Sequence, residues 1–235
     1  MSAVDVWSVA LNAGSETLGR LYDILSVEER DRAQRFVTEA LRMRFTIARA
    51  ALRIFLGRYL QADPHSLKFD YSERGKPFIR GSALDFNLSH SADLAIYAFT
   101  RGGEIGIDVE KRRDIAHVLD IARRYFAANE YAQLAALPPH LQVDAFFRCW
   151  TRKEAYLKAT GEGIAAPLDA FEVTLLAGDA PALRHIAGDT AAAKRWDVHH
   201  LAPAGEYIGA LAAPRRIEIA QQRAVSAEAL ISGVS

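Results

Sequence analysis

Asp108 and Glu110 stand two positions apart in the stretch GIDVEKRR, residues 106–113. Positions i and i+2 of a strand face the same side, so these two carboxylates point together while Ile107 and Val109 point the other way, into a core. Two like charges about 4 Å apart repel by about 4 kcal/mol at an effective dielectric near 20. The pair must splay into water at an exposed strand end, take up a proton, or share a cation. A second stretch, FFRCWTRKEAYLKATGEGI, spaces Trp150, Glu154 and Lys158 at i, i+4 and i+8, on one helical face. That spacing suits a surface ion pair. If the face turns toward the strand instead, Glu154 becomes a third oxygen ligand, and three carboxylates describe a hard-cation site for Mg²⁺, with Mn²⁺ also accepted. Lys158, one turn along, would then meet phosphate oxygens. In NLSHS, Ser89 and His90 are expected to end a strand and enter a turn, where they serve either as ordinary turn residues or as phosphate contacts. RGKPF adds Lys76 before a proline.

The elements that must position these groups repeat. VEERDRAQRFVTEALRMRFTIARAALRIFLGRYL reads as one helical region with Leu41, Phe45, Ala48, Leu52 and Phe55 in a stripe. DFNLSHSADLAIYAFT reads as strand, turn, strand, and RGGEIG as a joint. DIARRYFAANEYAQLAAL and LQVDAFFRCWTRKEAYLKATG are helical, and DAFEVTLL is a strand. RWDVHHLAPAGEYIGALAA then echoes the earlier hairpin. The expected fold is α+β: two similar halves, residues 1–103 and 104–235, in a pseudo-twofold arrangement. Each half carries a small antiparallel sheet packed on helices, with a site at the seam.

Composition narrows the function. The 29 basic and 29 acidic residues balance, which argues against a nucleic-acid-binding chain. Residues 30–58 nevertheless hold eight arginines against Asp31 and Glu39, as either a solvated helix face or a polyanion site. The single cysteine, Cys149, excludes an internal disulfide and fits a reducing compartment. No signal peptide or membrane-spanning run is evident, so a cytoplasmic location is expected. Cys149, Trp7 and Trp196 are read as core residues. His199 and His200 are read as a relic of duplication or a surface pair. GEGIAA follows a helix, so Gly161 is read as a helix C-cap rather than part of a dinucleotide fingerprint.

In order, RGKPF, FNLSHS, GIDVEK and FFRCWTRKEAYLKATGEG resemble the 4′-phosphopantetheinyl transferases of the larger, surfactin synthetase-activating type, from about Arg44 to Gly163. The resemblance implies a transferase that moves the phosphopantetheine arm of coenzyme A to a serine of an acyl or peptidyl carrier protein, releasing 3′,5′-ADP. It implies that Asp108, Glu110 and Glu154 bind the metal and that Glu154 is the base. Lys158 would contact the pyrophosphate, with Asp108 and Lys158 counted in the catalytic set. Arg44, Lys76, Ser89 and His90 would hold the nucleotide and its phosphates. Glu130 resembles a further acid near the site, and Arg32 and Arg35 stand where the family has basic residues. The carrier would dock at residues 111–126, where cations accompany Ile115, Val118 and Leu119. The duplicated plan points to a monomer. Two other readings compete: a catalytically silent coenzyme A- or nucleotide-binding regulatory module, and a Mg²⁺-dependent phosphatase or nucleotidyl enzyme. The acid trio favours the transferase over a binder, because binding alone calls for cations more than for three acids.

Overall fold

The computed structural model describes residues 2–162, 166–214 and 216–232. The chain opens with β1 (Ser2–Ala10), α1 (Ser15–Ile24), α2 (Val27–Gln34) and α3 (Glu39–Leu60), followed by the short pair β2 (Asp70–Tyr71) and β3 (Pro77–Phe78) and the hairpin β4 (Asp85–Ser91) and β5 (Leu94–Thr100). The second half runs β6 (Gly106–Lys111), α4 (Val118–Tyr125), α5 (Ala128–Ala135), α6 (Pro139–Thr160), β7 (Phe171–Val173), β8 (Leu183–Ile186) and α7 (Thr190–Ala193). The hairpin β9 (Trp196–Leu201) and β10 (Tyr207–Pro214), then β11 (Ile217–Val225) and α8 (Ala227–Ser232), complete it.

Helices and small, mainly antiparallel sheets make an α+β fold built twice. One sheet has the order β11-β1-β5-β4 and the other β6-β10-β9, so β1-β5-β4 answers β6-β10-β9. The 22-residue helices α3 and α6 answer each other as well. One pairing departs from this plan. β11 lies parallel to β1, carrying the end of the chain back onto the first half, where Leu230 and Ile231 join its core.

Alternation along the strands sorts side chains into three cores. Ala95, Tyr97 and Phe99 of β5 face α3, whereas Leu94, Ile96 and Ala98 meet Ile107 and Val109 of β6 and Leu211 of β10 in a core at the seam. The outer core of the second half gathers around Phe146, Phe147, Leu157 and Phe171. At the seam β6 is the edge of its sheet, and side chains of β4 satisfy its backbone. Asn87 Oδ1 accepts from Ile107 N at 2.9 Å, and Ser91 Oγ accepts from Lys111 N at 3.0 Å.

Several boundaries differ from the expected ones. The first helical region is broken, because the Thr38 hydroxyl caps α3 by accepting from Leu41 N. Leu41 is 44 % exposed, so the lower end of the α3 stripe faces a pocket rather than core. The region 118–135 is two helices, separated at Phe126 and Ala127. Ser89 and His90 lie inside β4, which continues to Ser91, and the turn follows them. Gly161 ends α6 at φ 73°, as a left-handed C-cap. The remainder of GEGIAA at 163–165 lies outside the described residues. Cys149 is buried, Trp7 stacks on Phe55, and Trp196 meets Tyr156 edge-on. His199 and His200 sit in β9. No helix among the described residues is long and apolar enough to cross a membrane.

Candidate active site

Gly106 sets the distance between strand and helix. A Cβ there would lie 2.0 Å from Ala155 O and 2.3 Å from Ala159 N, so α6 rests directly on the β6 backbone. The face of β6 that carries Gly106 also carries Asp108 and Glu110. On α6 the corresponding turns present Glu154 and Lys158. All four side chains line one open cleft of about 720 Å³ at the seam, together with Trp150 and Tyr125.

Asp108 is buried beside the only ammonium that lines this cleft among the described residues. Lys158 Nζ donates to Asp108 Oδ1 at 2.7 Å and to Ser89 Oγ at 2.9 Å, and Ser89 Oγ donates to the same carboxylate oxygen at 2.8 Å. The second oxygen, Asp108 Oδ2, is buried without a partner, an arrangement that asks for a ligand. Two residues on, Ser91 Oγ donates to Glu110 Oε2 at 2.7 Å. Thus S-x-S on β4 reads D-x-E on β6 residue by residue. Ser91 was not singled out from sequence; the matching i, i+2 spacing of the two motifs is the signal that could have found it.

Burial pushes the Asp108 carboxyl up, against the pull of Lys158 and the hydrogen bond from Ser89. Burial, then the nearby Asp108 charge, raises Glu154 above the usual carboxylate range, with Lys158 opposing. A carboxylate with a raised pKa is a better proton acceptor near neutrality. As they stand, no three acids, histidines or cysteines among the described residues are grouped tightly enough to hold an ion by themselves. The donor set fits a hard cation even so: three carboxylates share one cleft, and one buried oxygen among them is free.

His90 joins this cleft to a second pocket of about 700 Å³ lined by Arg32, Arg44 and Arg49 together with Phe36, Phe45 and Tyr71. Burial and the Lys158 charge hold the His90 imidazole below its ordinary range. Arg44 is paired with Asp93 at 2.6 Å, and Arg49 donates to Glu29 and to Tyr71. Cations over aromatic walls suit a phosphorylated nucleotide. Arg49 is counted among the eight arginines without being singled out, and Arg35 is exposed without lining the pocket. Gly75 and Pro77 line it, while Lys76 turns its ammonium to the carbonyls of Ile105 (2.9 Å) and Lys158 (2.8 Å). Lys76 therefore ties the end of α6 to the entry of β6. Glu130 lies outside the cleft, buried against Lys153 at 2.8 Å.

Two family descriptions cover the chain: "4'-phosphopantetheinyl transferase, N-terminal" over residues 12–101 and "4'-phosphopantetheinyl transferase superfamily" over residues 104–212. The 4'-phosphopantetheinyl transferase HetI of Nostoc sp. is 39% identical over 213 residues, spanning 89% of this chain and 86% of its own. A 4'-phosphopantetheinyl transferase of Bacillus subtilis is 35% identical over 166 residues, 70% of this chain and 72% of its own. Sfp of Bacillus subtilis strain 168 is 36% identical over 157 residues, 66% of this chain and 69% of its own. With that identity extending over most of both chains, and with the acids, lysine and arginines gathered at one seam, the chain belongs to the 4'-phosphopantetheinyl transferase superfamily.

Proposed function

We propose that the protein transfers the 4′-phosphopantetheine arm of coenzyme A to a serine of an acyl or peptidyl carrier protein. The observation that carries this reading is the pair of joined pockets. A cleft with three carboxylates and an ammonium opens past His90 into an arginine- and aromatic-lined pocket, which suits a molecule with a pyrophosphate at its middle and a phosphorylated nucleotide at one end.

The nucleotide end would lie among Arg32, Arg44 and Arg49, whose guanidinium forks match phosphate oxygens. The pyrophosphate would lie at Lys158, with the pantetheine arm directed along the wall formed by Trp150 and Tyr125. Asp108, Glu110 and Glu154 would hold Mg²⁺ or Mn²⁺, which when bound supplies positive charge to the pyrophosphate. The carrier serine Oγ forms a bond to the phosphorus bearing the pantetheine arm. The bond from that phosphorus to the bridging oxygen breaks, and 3′,5′-ADP departs with the electron pair. Glu154 takes the serine proton, and Lys158 stabilises charge on the departing phosphate without transferring a proton. Ser89 holds the Asp108–Lys158 pair in register.

The carrier would approach over residues 111–126. Tyr125 is 41 % exposed there and, with Arg124, lines the cleft mouth. Arg112 and Arg113 are paired with Asp144 and Glu110, so an acidic carrier helix would exchange these local partners for its own. A monomer acting in the cytoplasm is part of the same proposal. Incubation with coenzyme A, Mg²⁺ and an apo carrier protein tests it. A carrier mass gain of one phosphopantetheine supports transfer, and binding of coenzyme A without any gain would leave only a binding module.

A further inference from the structure

Each half buries one glutamate–cation pair built to the same plan. Glu29 and Glu130 are each the third residue of an eight-residue helix, α2 and α5. Each reaches back to the amide before its helix: Glu29 Oε2 accepts from Ser26 N at 3.0 Å, and Glu130 Oε2 accepts from Ala127 N at 2.9 Å. Each meets a cation in the middle of the long helix of its half, Arg53 on α3 at 2.6 Å and Lys153 on α6 at 2.8 Å. These cations are 2 % and 0 % exposed, and their numbers differ by one hundred. Each cation then takes two carbonyls at a 3₁₀ turn downstream. Arg53 Nη1 donates to Pro64 O (2.7 Å) and Leu67 O (3.2 Å), and Lys153 Nζ donates to Leu168 O (2.8 Å) and Phe171 O (2.5 Å).

The two pairs differ in what the other glutamate oxygen holds. Glu29 Oε1 accepts from Arg49 Nε at 2.5 Å, and Arg49 lines the arginine pocket. Glu130 Oε1 accepts from Val173 N at 2.7 Å, just past Leu168 and Asp169, which wall the cleft. Lys153 also immediately precedes Glu154. Successive helix positions are about 100° apart, so anchoring Lys153 inward turns Glu154 toward the cleft. A buried ion pair is weak ground for stability, since a well-packed apolar pair of similar volume does as well or better. What these clamps supply is geometry.

We propose that the duplicated clamps divide the positioning work. Glu29–Arg53 sets the nucleotide pocket through Arg49, and Glu130–Lys153 sets the reacting cleft by fixing the phase of α6 and the wall at 168–173. This assignment rests on the transfer reading above. Double variants that remove both charges while keeping volume separate positioning from stability, because the two enclosed partners are replaced together and, in the Glu29 variant, Arg49 keeps its hydrogen bond to Tyr71. Glu130→Gln/Lys153→Met should keep a melting temperature near that of the unaltered protein. It should bind coenzyme A and 3′,5′-ADP within about threefold by calorimetry and lose about a hundredfold in transfer rate at saturating coenzyme A, the scale of a reacting group misplaced by about 1 Å. Glu29→Gln/Arg53→Met should show the reverse weighting: about tenfold weaker coenzyme A binding, with a smaller loss of saturated rate.

Hydrogen exchange supplies a readout independent of transfer. Amides of residues 167–173 should lose protection in the Glu130 variant and keep it in the Glu29 variant. If the unaltered protein transferred nothing while these exchange and binding differences appeared, the transfer reading would fall and the division of positioning would stand. Double variants with unaltered kinetics and exchange would overturn the proposal. So would a Glu130 variant whose main defect is coenzyme A binding, or double variants that no longer fold, since the clamps would then be stability elements.

Discussion

Both halves lay a 22-residue helix across the first strand of a three-strand unit, but among the described residues only the second crossing holds a cleft lined by three carboxylates and an ammonium. At the first crossing Trp7 of β1 stacks on Phe55 at 5.0 Å between ring centres and donates to the Tyr59 hydroxyl at 3.0 Å. At the second, Gly106 lies against Ala155 and Ala159, one hundred positions after Phe55 and Tyr59. Counting onward from Trp7 and from Gly106, Val9 and Leu11 stand where the second half has Asp108 and Glu110. By the same helix offset Ile54 stands where it has Glu154. Val9, Leu11 and Ile54 are all buried, in a core shared with Leu21 of α1 and Leu230 of α8. The glutamate–cation clamp is present on both sides. The scaffold was therefore kept in both copies, while the chemistry arises in the copy whose helix sits close to the strand, with acids replacing aliphatics around an open cleft.

The strongest way to break this contrast is at Gly106. Gly106→Ala should destabilise the protein by about 2–3 kcal/mol or more through overpacking and abolish transfer, as read by thermal unfolding and the carrier-mass assay. A tolerated, active Gly106→Ala would show that the close crossing is not required. Next is Lys158→Met, which leaves the buried Asp108 carboxylate with Ser89 as its only remaining donor. A loss of about 1–3 kcal/mol is expected together with loss of transfer, measured by denaturant unfolding and single-turnover kinetics.

Installing the first half's residue sharpens the comparison. Glu154→Ile should leave stability equal or slightly higher, because a carboxyl that burial has already made costly to ionise is removed, and transfer should disappear. The smallest effect is on the pH slope of stability, apart from the overall loss that stranding Arg53 brings. Burial alone would raise Glu29, but hydrogen bonds from Arg53 and the Arg49 charge outweigh it and hold the carboxyl below the usual range. A depressed folded-state value contributes stability that is complete above the ordinary glutamate range and is lost as the pH falls through the lower value. Glu29→Gln should flatten that acid limb of the unfolding profile and leave the neutral limb unchanged in slope.

The parts of this site that follow a local period were legible in the sequence. Two acids at i and i+2 and a Glu–Lys face at i and i+4 place themselves once strand and helix are assigned. The repeated hairpin pointed to two halves. What local pattern cannot carry is contact between distant segments. The parallel pairing of β1 with β11 joins opposite ends of the chain, and nothing local to Ile217–Val225 names its partner. The breaks at Thr38 and Phe126 were hidden because helical spacing of apolar residues continues across them. Glu130 is placed near the site by resemblance and Lys153 is not singled out, since only the tertiary fold shows that the two enclose each other. Lys76 illustrates the same limit: its type suggests phosphate, and its ammonium is spent on two carbonyls.

Glu154→Gln tests the central claim most directly, with coenzyme A affinity measured by calorimetry and phosphopantetheine transfer by carrier mass. The account predicts affinity within about threefold of the unaltered protein and a transfer rate lower by about 10²–10⁴, the range attributed to a positioned proton acceptor. A variant that transfers at the unaltered rate would contradict it.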